Sequence, residues 1–74
     1  MRAHIEDPED IGRLVRRLRN QAGMNQRDLA ERLGISQRYV SELESGKPKR
    51  IDRHYLHVLA LLGISLQAEF DDAR

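Results

Sequence analysis

The sequence contains no cysteine and no tryptophan, and only three of its 74 residues are aromatic. The absence of cysteine excludes disulfide bonds and thiolate metal sites, which stabilise many small domains. In this size range a single hydrophobic core rarely contributes more than about 3–5 kcal/mol without such support. Self-association is the commonest remaining solution, ahead of idealised helix packing, so we predict a homodimer.

Long apolar runs are also absent. No stretch approaches 18 consecutive apolar residues, and residues 1–10 hold four acidic groups without an apolar segment. We therefore predict neither a transmembrane helix nor a secretory signal, and we expect a cytoplasmic protein. The short chain has no nucleophile elbow, phosphate-binding loop or paired-carboxylate cleft, so an enzyme is not expected. His54 and His57 are only two ligands, so no metal site and no cofactor are predicted.

The net charge of +1 conceals an uneven distribution. Residues 1–24 carry five basic and four acidic groups, residues 25–50 carry six and four, and residues 51–74 carry two and four. Most of the basic side chains lie in two runs, at residues 13–19 and 47–50. Such a run is usually a solvated helix face, but it also suits a basic binding surface. Both interpretations remain open at this point.

Capping residues and glycines divide the chain into four predicted helices. Candidate N-caps are Asp7, Asn25, Ser36 and Asp52, and each precedes apolar residues at helical spacing. Glycines at positions 23, 34, 46 and 63 end the four patterns. The fourth helix is so apolar that more than one of its sides must be covered. The core positions predicted in the first three helices are Ile11, Leu14, Val15, Leu18, Ala22, Leu29, Ala30, Leu33, Val40 and Leu43.

Residues 64–70 alternate apolar and polar side chains, which is typical of a half-buried strand. A single strand is not stable alone, and no other segment offers a comparable strand. We therefore predict that it pairs with the same segment of a second subunit. The alternative is a coiled tail whose Leu66 and Phe70 pack on the helices. The residues predicted at the dimer interface are Leu59, Leu62, Ile64, Leu66, Ala68 and Phe70.

The segment from residue 26 to residue 45 is the most informative. Two short helices joined by Gly34, Ile35 and Ser36 must cross at a large angle, which exposes the outer face of the second helix. Hydrogen-bonding groups on that face suit base edges in a DNA major groove. The predicted base contacts are Gln37, Arg38, Ser41 and Glu42, although Glu42 could instead orient Arg38. The predicted DNA-backbone contacts are Asn25, Gln26, Arg27, Tyr39, Lys47, Lys49 and Arg50.

The segment from Gln26 to Lys47 resembles the helix-turn-helix of Cro and phage-repressor proteins, the XRE family. The residues that carry the resemblance are Gln26, Ala30, Gly34, Val40, Leu43, Glu44, Gly46 and Lys47, together with Leu18, Arg19 and Gly23 upstream. It implies a mainly α, lambda-repressor-like domain of four to five helices, with a recognition helix at about residues 37–45. It also implies that Arg19 pairs with Glu44. We therefore predict an N-terminal arm at 1–7, the DNA-binding domain at 8–63, the dimerisation strand at 64–70 and a tail at 71–74.

The segment from Tyr55 to Leu66 is similar to the end of HipB-like antitoxins, in which a short strand pairs across a two-fold axis. Phage repressors of this fold usually have a fifth helix there. The resemblances imply a homodimeric, sequence-specific regulator, expected to be a repressor, that binds a palindromic double-stranded DNA operator at the nucleoid. The alternative implied by HipB-like antitoxins is a protein whose main role is to neutralise a HipA-type kinase toxin. No membrane partner is predicted.

Overall fold

The computed structural model describes residues 1–47 and 50–71. Within them the backbone forms four helices, α1 (Pro8–Gln21), α2 (Gln26–Leu33), α3 (Gln37–Glu44) and α4 (Arg53–Leu61). The predicted mainly α fold class is confirmed. In the single chain, residues 64–70 form neither a helix nor a strand. The intersubunit strand, which would need a second copy, therefore stays a prediction.

Each helix begins at the capping residue that the sequence predicts. The side chains of Asp7, Ser36 and Asp52 each accept a hydrogen bond from the backbone amide three residues later. Asn25 and Asp28 form a complete capping box, in which each side chain accepts from the backbone N–H of the other residue. Such caps satisfy amides that have no intrahelical acceptor, and each stabilises a helix by about 1 kcal/mol. Local sequence therefore decides where the helices start.

A turn at residues 34–36 connects α2 to α3. Gly34 adopts a left-handed conformation with a φ of 70°, which a residue with a side chain rarely adopts. The next amide, that of Ile35, donates to the Ala30 carbonyl oxygen at 3.0 Å and closes the end of α2. The half-buried Ile35 side chain packs against the core. This turn fixes where α3 leaves α2.

One core joins all four helices, and α3 packs against both α1 and α2. Most of the predicted core positions are confirmed, with Leu14, Leu18 and Leu33 half-buried. The prediction for Ala22 is wrong: this residue is exposed because it is the C-cap of α1, beyond the last helical turn. The buried hydrophobic residues are Ile11, Val15, Leu29, Ala30, Val40, Leu43, Tyr55, Val58 and Leu59.

Gly12 allows α1 to lie directly against the end of α3. A Cβ atom at this position would be 2.3 Å from the Glu44 carbonyl oxygen and 2.7 Å from that of Leu43. Both distances are far below van der Waals contact, so any side chain would force the two helices apart. Because Gly12 has no side chain, the end of α3 can pack directly against α1.

Candidate nucleic-acid interface

The recognition helix α3 has a polar outer face because its apolar residues are in the core. Val40 and Leu43 are fully buried, and Ser36 caps the helix at the end that the turn presents to solvent. Four other side chains of α3 form the outer face, with three exposed and the last half-buried. These are the predicted base contacts Gln37, Arg38, Ser41 and Glu42.

Arg38 and Glu42 lie one helical turn apart and form an exposed ion pair. The distance between Arg38 Nε and Glu42 Oε2 is 3.7 Å, which is longer than a hydrogen bond. Exposed pairs of this kind contribute little to stability. The contact places a carboxylate beside Arg38, so of the two predicted roles of Glu42 the orientation of Arg38 has direct support.

A single carboxylate, that of Glu44, connects α1, α2 and α3. Arg19 Nε donates to Glu44 Oε2 at 2.6 Å, and Arg19 Nη2 donates to Oε1 at 3.0 Å. The third guanidinium nitrogen, Arg19 Nη1, donates to the Met24 carbonyl oxygen at 2.9 Å. Gln26 Nε2 also donates to Glu44 Oε1, at 3.2 Å, and Arg16 Nε is 3.5 Å from that oxygen. The Arg19–Glu44 pair that the family resemblance implies is thus present in the structure.

The Glu44 carboxylate is almost completely removed from solvent and is nevertheless charged. Its side chain is 3% exposed, and that of Arg19 is 11% exposed. Burial acts to raise the pKa of Glu44, but the hydrogen bonds from Arg19 and Gln26 and the charges of Arg19 and Arg16 outweigh it. The pKa of Glu44 is therefore below its usual value. The hydrogen bond to Glu44 likewise raises the pKa of Arg19.

Three of the predicted backbone contacts lie together at the start of α2. Arg27 is exposed, and the Asn25 side chain is part of the capping box. The Gln26 carboxamide uses one N–H toward Glu44 and has a second N–H to donate. The capping box already satisfies the Asp28 amide, so an anion here would meet the Gln26 carboxamide, the exposed Arg27 and the positive end of the helix dipole. This end of α2 is therefore suited to a phosphate group.

Tyr39 connects the recognition helix to the start of α4. Its ring meets the His54 ring edge to face, with 4.9 Å between the centroids and 65° between the planes. Burial raises the pKa of the Tyr39 hydroxyl, and the negative charges of Asp52 and Glu42 add to the shift. The hydroxyl therefore stays protonated at neutral pH and can donate to a phosphate oxygen.

The other predicted backbone contacts follow α3. Lys47 and Arg50 are both exposed. The Lys47 amide donates to the Glu42 carbonyl oxygen at 3.0 Å, which ties this lysine to the end of the recognition helix. Lys49 lies outside the described residues.

The comparison with known proteins identifies the family. Residues 10–70 match the family described as "Helix-turn-helix domain". The "Uncharacterized HTH-type transcriptional regulator y4mF" of Sinorhizobium fredii (strain NBRC 101917 / NGR234) is 39% identical over 66 residues, which are 89% of this chain and 87% of that protein. The chain belongs to this helix-turn-helix family. The prediction of a helix-turn-helix transcriptional regulator is confirmed at the level of the family.

Solved structures of HipB share the fold. A HipB variant in complex with an O2 20mer has a TM-score of 0.73 and 23% identity, and the match covers 99% of this chain and 100% of that chain. HipB in the "HipA-HipB-O2-O3 complex" has a TM-score of 0.71 and 24% identity, with 97% and 100% covered. At this level of identity the similarity establishes the fold. The predicted resemblance to HipB is therefore confirmed as a structural one.

Leu59 lies in the core of the helix-turn-helix domain and not at a subunit interface. We predicted Leu59 at the dimer interface, but its side chain is 1% exposed in the single chain. It packs in the same cluster as Tyr55 and Val58 of α4. A residue without accessible surface cannot contact a second subunit, so this prediction is wrong.

The segment after α4 presents the other predicted interface residues. Leu62 and Ile64 are half-buried against the core, and the remainder are exposed. Phe70 is 81% exposed and Leu66 is also exposed, so the alternative of a tail packed on the helices is wrong. The residues still available for self-association are Leu62, Ile64, Leu66, Ala68 and Phe70.

Sequence reasoning missed three residues of the site. Gly12 is a glycine inside a predicted helix, which is itself a signal of close packing. Arg16 is one of a run of arginines, and nothing in its spacing distinguishes it from Arg17. The contact of His54 with Tyr39 depends on tertiary structure, so the sequence gives no signal for it.

Two general findings apply to the part of the chain that the structure describes. None of its helices has both the length and the hydrophobicity needed to cross a membrane. No group of three metal-binding side chains is placed to hold an ion.

Proposed function

We propose that the chain is a sequence-specific repressor that binds a palindromic DNA operator as a homodimer, with α3 in the major groove. The observation that carries this proposal is the exposed polar face of a recognition helix whose inner side is fixed in the core. Val40 and Leu43 anchor it from below, and Glu44 connects its end to α1 and α2. A helix held in this way can be inserted into the groove without loss of its internal packing. This regulator needs no catalytic activity and acts at the nucleoid in the cytoplasm.

Base contacts follow from the chemistry of the outer face. Gln37 can form a bidentate contact with adenine N6 and N7, and Arg38 can form one with guanine O6 and N7. The exposed Ser41 hydroxyl can donate to or accept from several bases. Glu42 lies 3.7 Å from Arg38 and holds its guanidinium in position for the contact.

Phosphate contacts around α3 would set its register in the groove. Gln26 and its two neighbours lie at the start of α2, and the Gln26 side chain contacts Glu44 at the end of α3. Tyr39 belongs to α3 itself, and Lys47 follows the helix directly. Contacts of this type fix orientation without selecting sequence. The proposed set is Asn25, Gln26, Arg27, Tyr39, Lys47, Lys49 and Arg50.

The homodimer is supported by apolar surface that the single chain leaves uncovered. Leu56 and Leu61 of α4 and Leu66 and Phe70 of the following segment are all exposed. A second copy related by a two-fold axis would cover this surface and pair the two segments at 64–70. Two recognition helices would then bind half-sites about one turn of DNA, roughly 34 Å, apart.

Selection of binding sites from random duplexes, with the mass of the protein measured in solution, tests the proposal. We expect an enriched motif with two-fold symmetry and a dimeric mass. The affinity should fall steeply between 50 and 200 mM salt because bound phosphates release counterions. No enrichment, or an affinity that does not change with salt, would contradict the proposal.

A second candidate function is a HipB-like antitoxin that neutralises a HipA-type kinase toxin and regulates its own promoter. The observation that favours it is the fold similarity to HipB in a complex that also contains HipA. If this function is correct, a kinase-like reading frame should lie beside the gene, and its product should co-purify with the chain. A neighbouring kinase that does not bind the chain would count against the antitoxin and leave the stand-alone regulator.

A further inference from the structure

Arg16 lies where α1, the start of α2 and the end of α3 meet. Its Nε atom is 3.5 Å from Glu44 Oε1, yet its side chain is 65% exposed. The same oxygen already accepts hydrogen bonds from Arg19 Nη2 at 3.0 Å and from Gln26 Nε2 at 3.2 Å. Arg16 is therefore the outermost of three side chains around one buried carboxylate, and its contact is ionic.

The charges at this point do not cancel. Glu44 contributes one negative charge, and Arg19 neutralises it through two hydrogen bonds. The charge of Arg16 is left in excess and faces solvent. Because Arg16 and Gln26 both lie beside Glu44 Oε1, their donors are next to each other at the surface. Nε is the guanidinium atom in contact with Glu44, so the two Nη groups can donate to an outside acceptor.

We propose that Arg16 and Gln26 together hold one phosphate group of the DNA backbone, with Glu44 fixing the position of both side chains. This inference rests on the proposed function and extends the DNA interface from the helix-turn-helix to α1. A phosphate offers several acceptor oxygens and forms short, charge-assisted hydrogen bonds with a guanidinium. The buried Glu44 restrains Arg16 before binding, so less side-chain entropy is lost in the complex.

Neighbouring arginines of α1 lack this arrangement. Arg13 is engaged at the start of its own helix, where it hydrogen-bonds Asp10 and lies 4.0 Å from Asp7. Arg17 follows Arg16 directly, and successive residues of a helix are about 100° apart around its axis. Arg17 is therefore directed away from Glu44 and is a matched control of equal charge on an exposed position of the same helix.

The test compares wild type with the variants Arg16→Gln, Arg16→Lys and Arg17→Gln on a duplex enriched in the selection experiment. The measured quantity is the slope of log affinity against log salt concentration. We expect Arg16→Gln to reduce its magnitude by about 0.9 per bound protomer, because one phosphate contact is lost. Arg16→Lys should keep the slope and lose some affinity, since lysine lacks the guanidinium fork. Arg17→Gln should match wild type in both.

A second measurement locates the phosphate. Single methylphosphonate substitutions along the duplex remove one backbone charge at a time, and one position should weaken wild type but not Arg16→Gln. If Arg16→Gln does not fold, Arg16→Lys is used in its place. The methylphosphonate at the identified position should then weaken the binding of Arg16→Lys less than that of wild type. An unchanged slope in Arg16→Gln, or equal loss in Arg17→Gln, would overturn this inference while the proposed function stands. Failure of wild type to bind any duplex would overturn both.

Discussion

Arg19 of α1 and Glu44 of α3 form a two-point ion pair across 25 positions of sequence, with hydrogen bonds of 2.6 and 3.0 Å. Both side chains are largely buried, and the carboxylate also accepts from Gln26 of α2. The recognition helix is thus connected to each of the two helices before it by polar contacts as well as by its apolar side. A displacement of α3 would separate the buried carboxylate from its hydrogen-bond donors, so we infer that the pair maintains the orientation of the outer face.

Substitution of one residue of the Arg19–Glu44 pair should therefore lower the free energy of unfolding much more than substitution of both. Arg19→Met leaves the buried Glu44 charge without its main partner and should lower the free energy of unfolding by about 3 kcal/mol. Simultaneous substitution of both residues by Met should recover a large part of this loss. Urea unfolding at a fixed protein concentration measures the effect, and Arg17→Met on the exposed side of α1 is the control. A loss in the double variant equal to the sum of the losses in Arg19→Met and Glu44→Met would show that the pair is not energetically coupled.

Acid should destabilise the fold through the same carboxylate. The pKa of Glu44 is lowered in the folded protein, so the stabilisation that it provides is complete above its ordinary value of 4.5 and is lost as the pH falls below it. Asp10, whose pKa is also lowered, mainly by the hydrogen bond from the Glu6 amide, adds to the loss. Unfolding midpoints measured between pH 7 and 3 should fall less steeply for Glu44→Gln than for wild type. Parallel curves would exclude Glu44 as a source of the acid sensitivity.

Gly12→Ala should weaken the contact between α1 and α3. The added Cβ would lie 2.3 Å from the Glu44 carbonyl oxygen, and overpacking of this kind typically costs about 1–3 kcal/mol. The helix propensity of alanine would by itself favour the substitution, so a loss of stability reports the steric conflict. Asn20→Ala, at an exposed position of α1, is the control and should be neutral or slightly stabilising. Stabilisation by Gly12→Ala would refute the close approach of the two helices.

Much of this fold could be predicted from sequence because its signals are local. The caps at Asn25 and Ser36 and the left-handed turn at Gly34 depend on residues within a few positions. The burial of Leu59 and the role of Gly12 could not be predicted in the same way. Both depend on which side of a helix meets another helix, and α4 is apolar on several sides, so its pattern does not say which leucines face inward.

The candidate site also combines features that follow from local sequence with features that depend on tertiary packing. The outer face of α3 follows from helical spacing around Val40 and Leu43. Arg16 lies beside Glu44 because of the way α1 packs against α3. The adjacent Arg17 is on another side of α1, and the sequence alone does not distinguish the two arginines.

The two classes of DNA contact should respond differently to substitution. Gln37→Ala should cost about 1–3 kcal/mol on the selected duplex and relax the preference at one base pair. Lys47→Ala should weaken binding to all duplexes by a similar factor and reduce the salt slope, because it removes a phosphate contact. Titration of each variant on matched and mismatched duplexes measures both effects. Identical behaviour of the two variants would contradict the assigned roles.

Disruption of the segment after α4 should separate the subunits. Leu66→Asp places a charge in the predicted intersubunit strand and should give a monomer in sedimentation experiments, with weak operator binding. Ile51→Asp is the control, because Ile51 is an exposed apolar residue at the opposite end of α4. A dimeric mass for Leu66→Asp would remove residues 64–70 from the interface.

If α3 contacts the base edges of a specific sequence, two affinities of the same protein must differ. The dissociation constant of wild type is measured at one salt concentration for the selected duplex and for a scrambled duplex of the same composition. We predict that the selected duplex binds at least about 10³-fold more tightly, and that Gln37→Ala reduces this ratio. Equal affinity for the two duplexes would show that α3 does not read the base sequence.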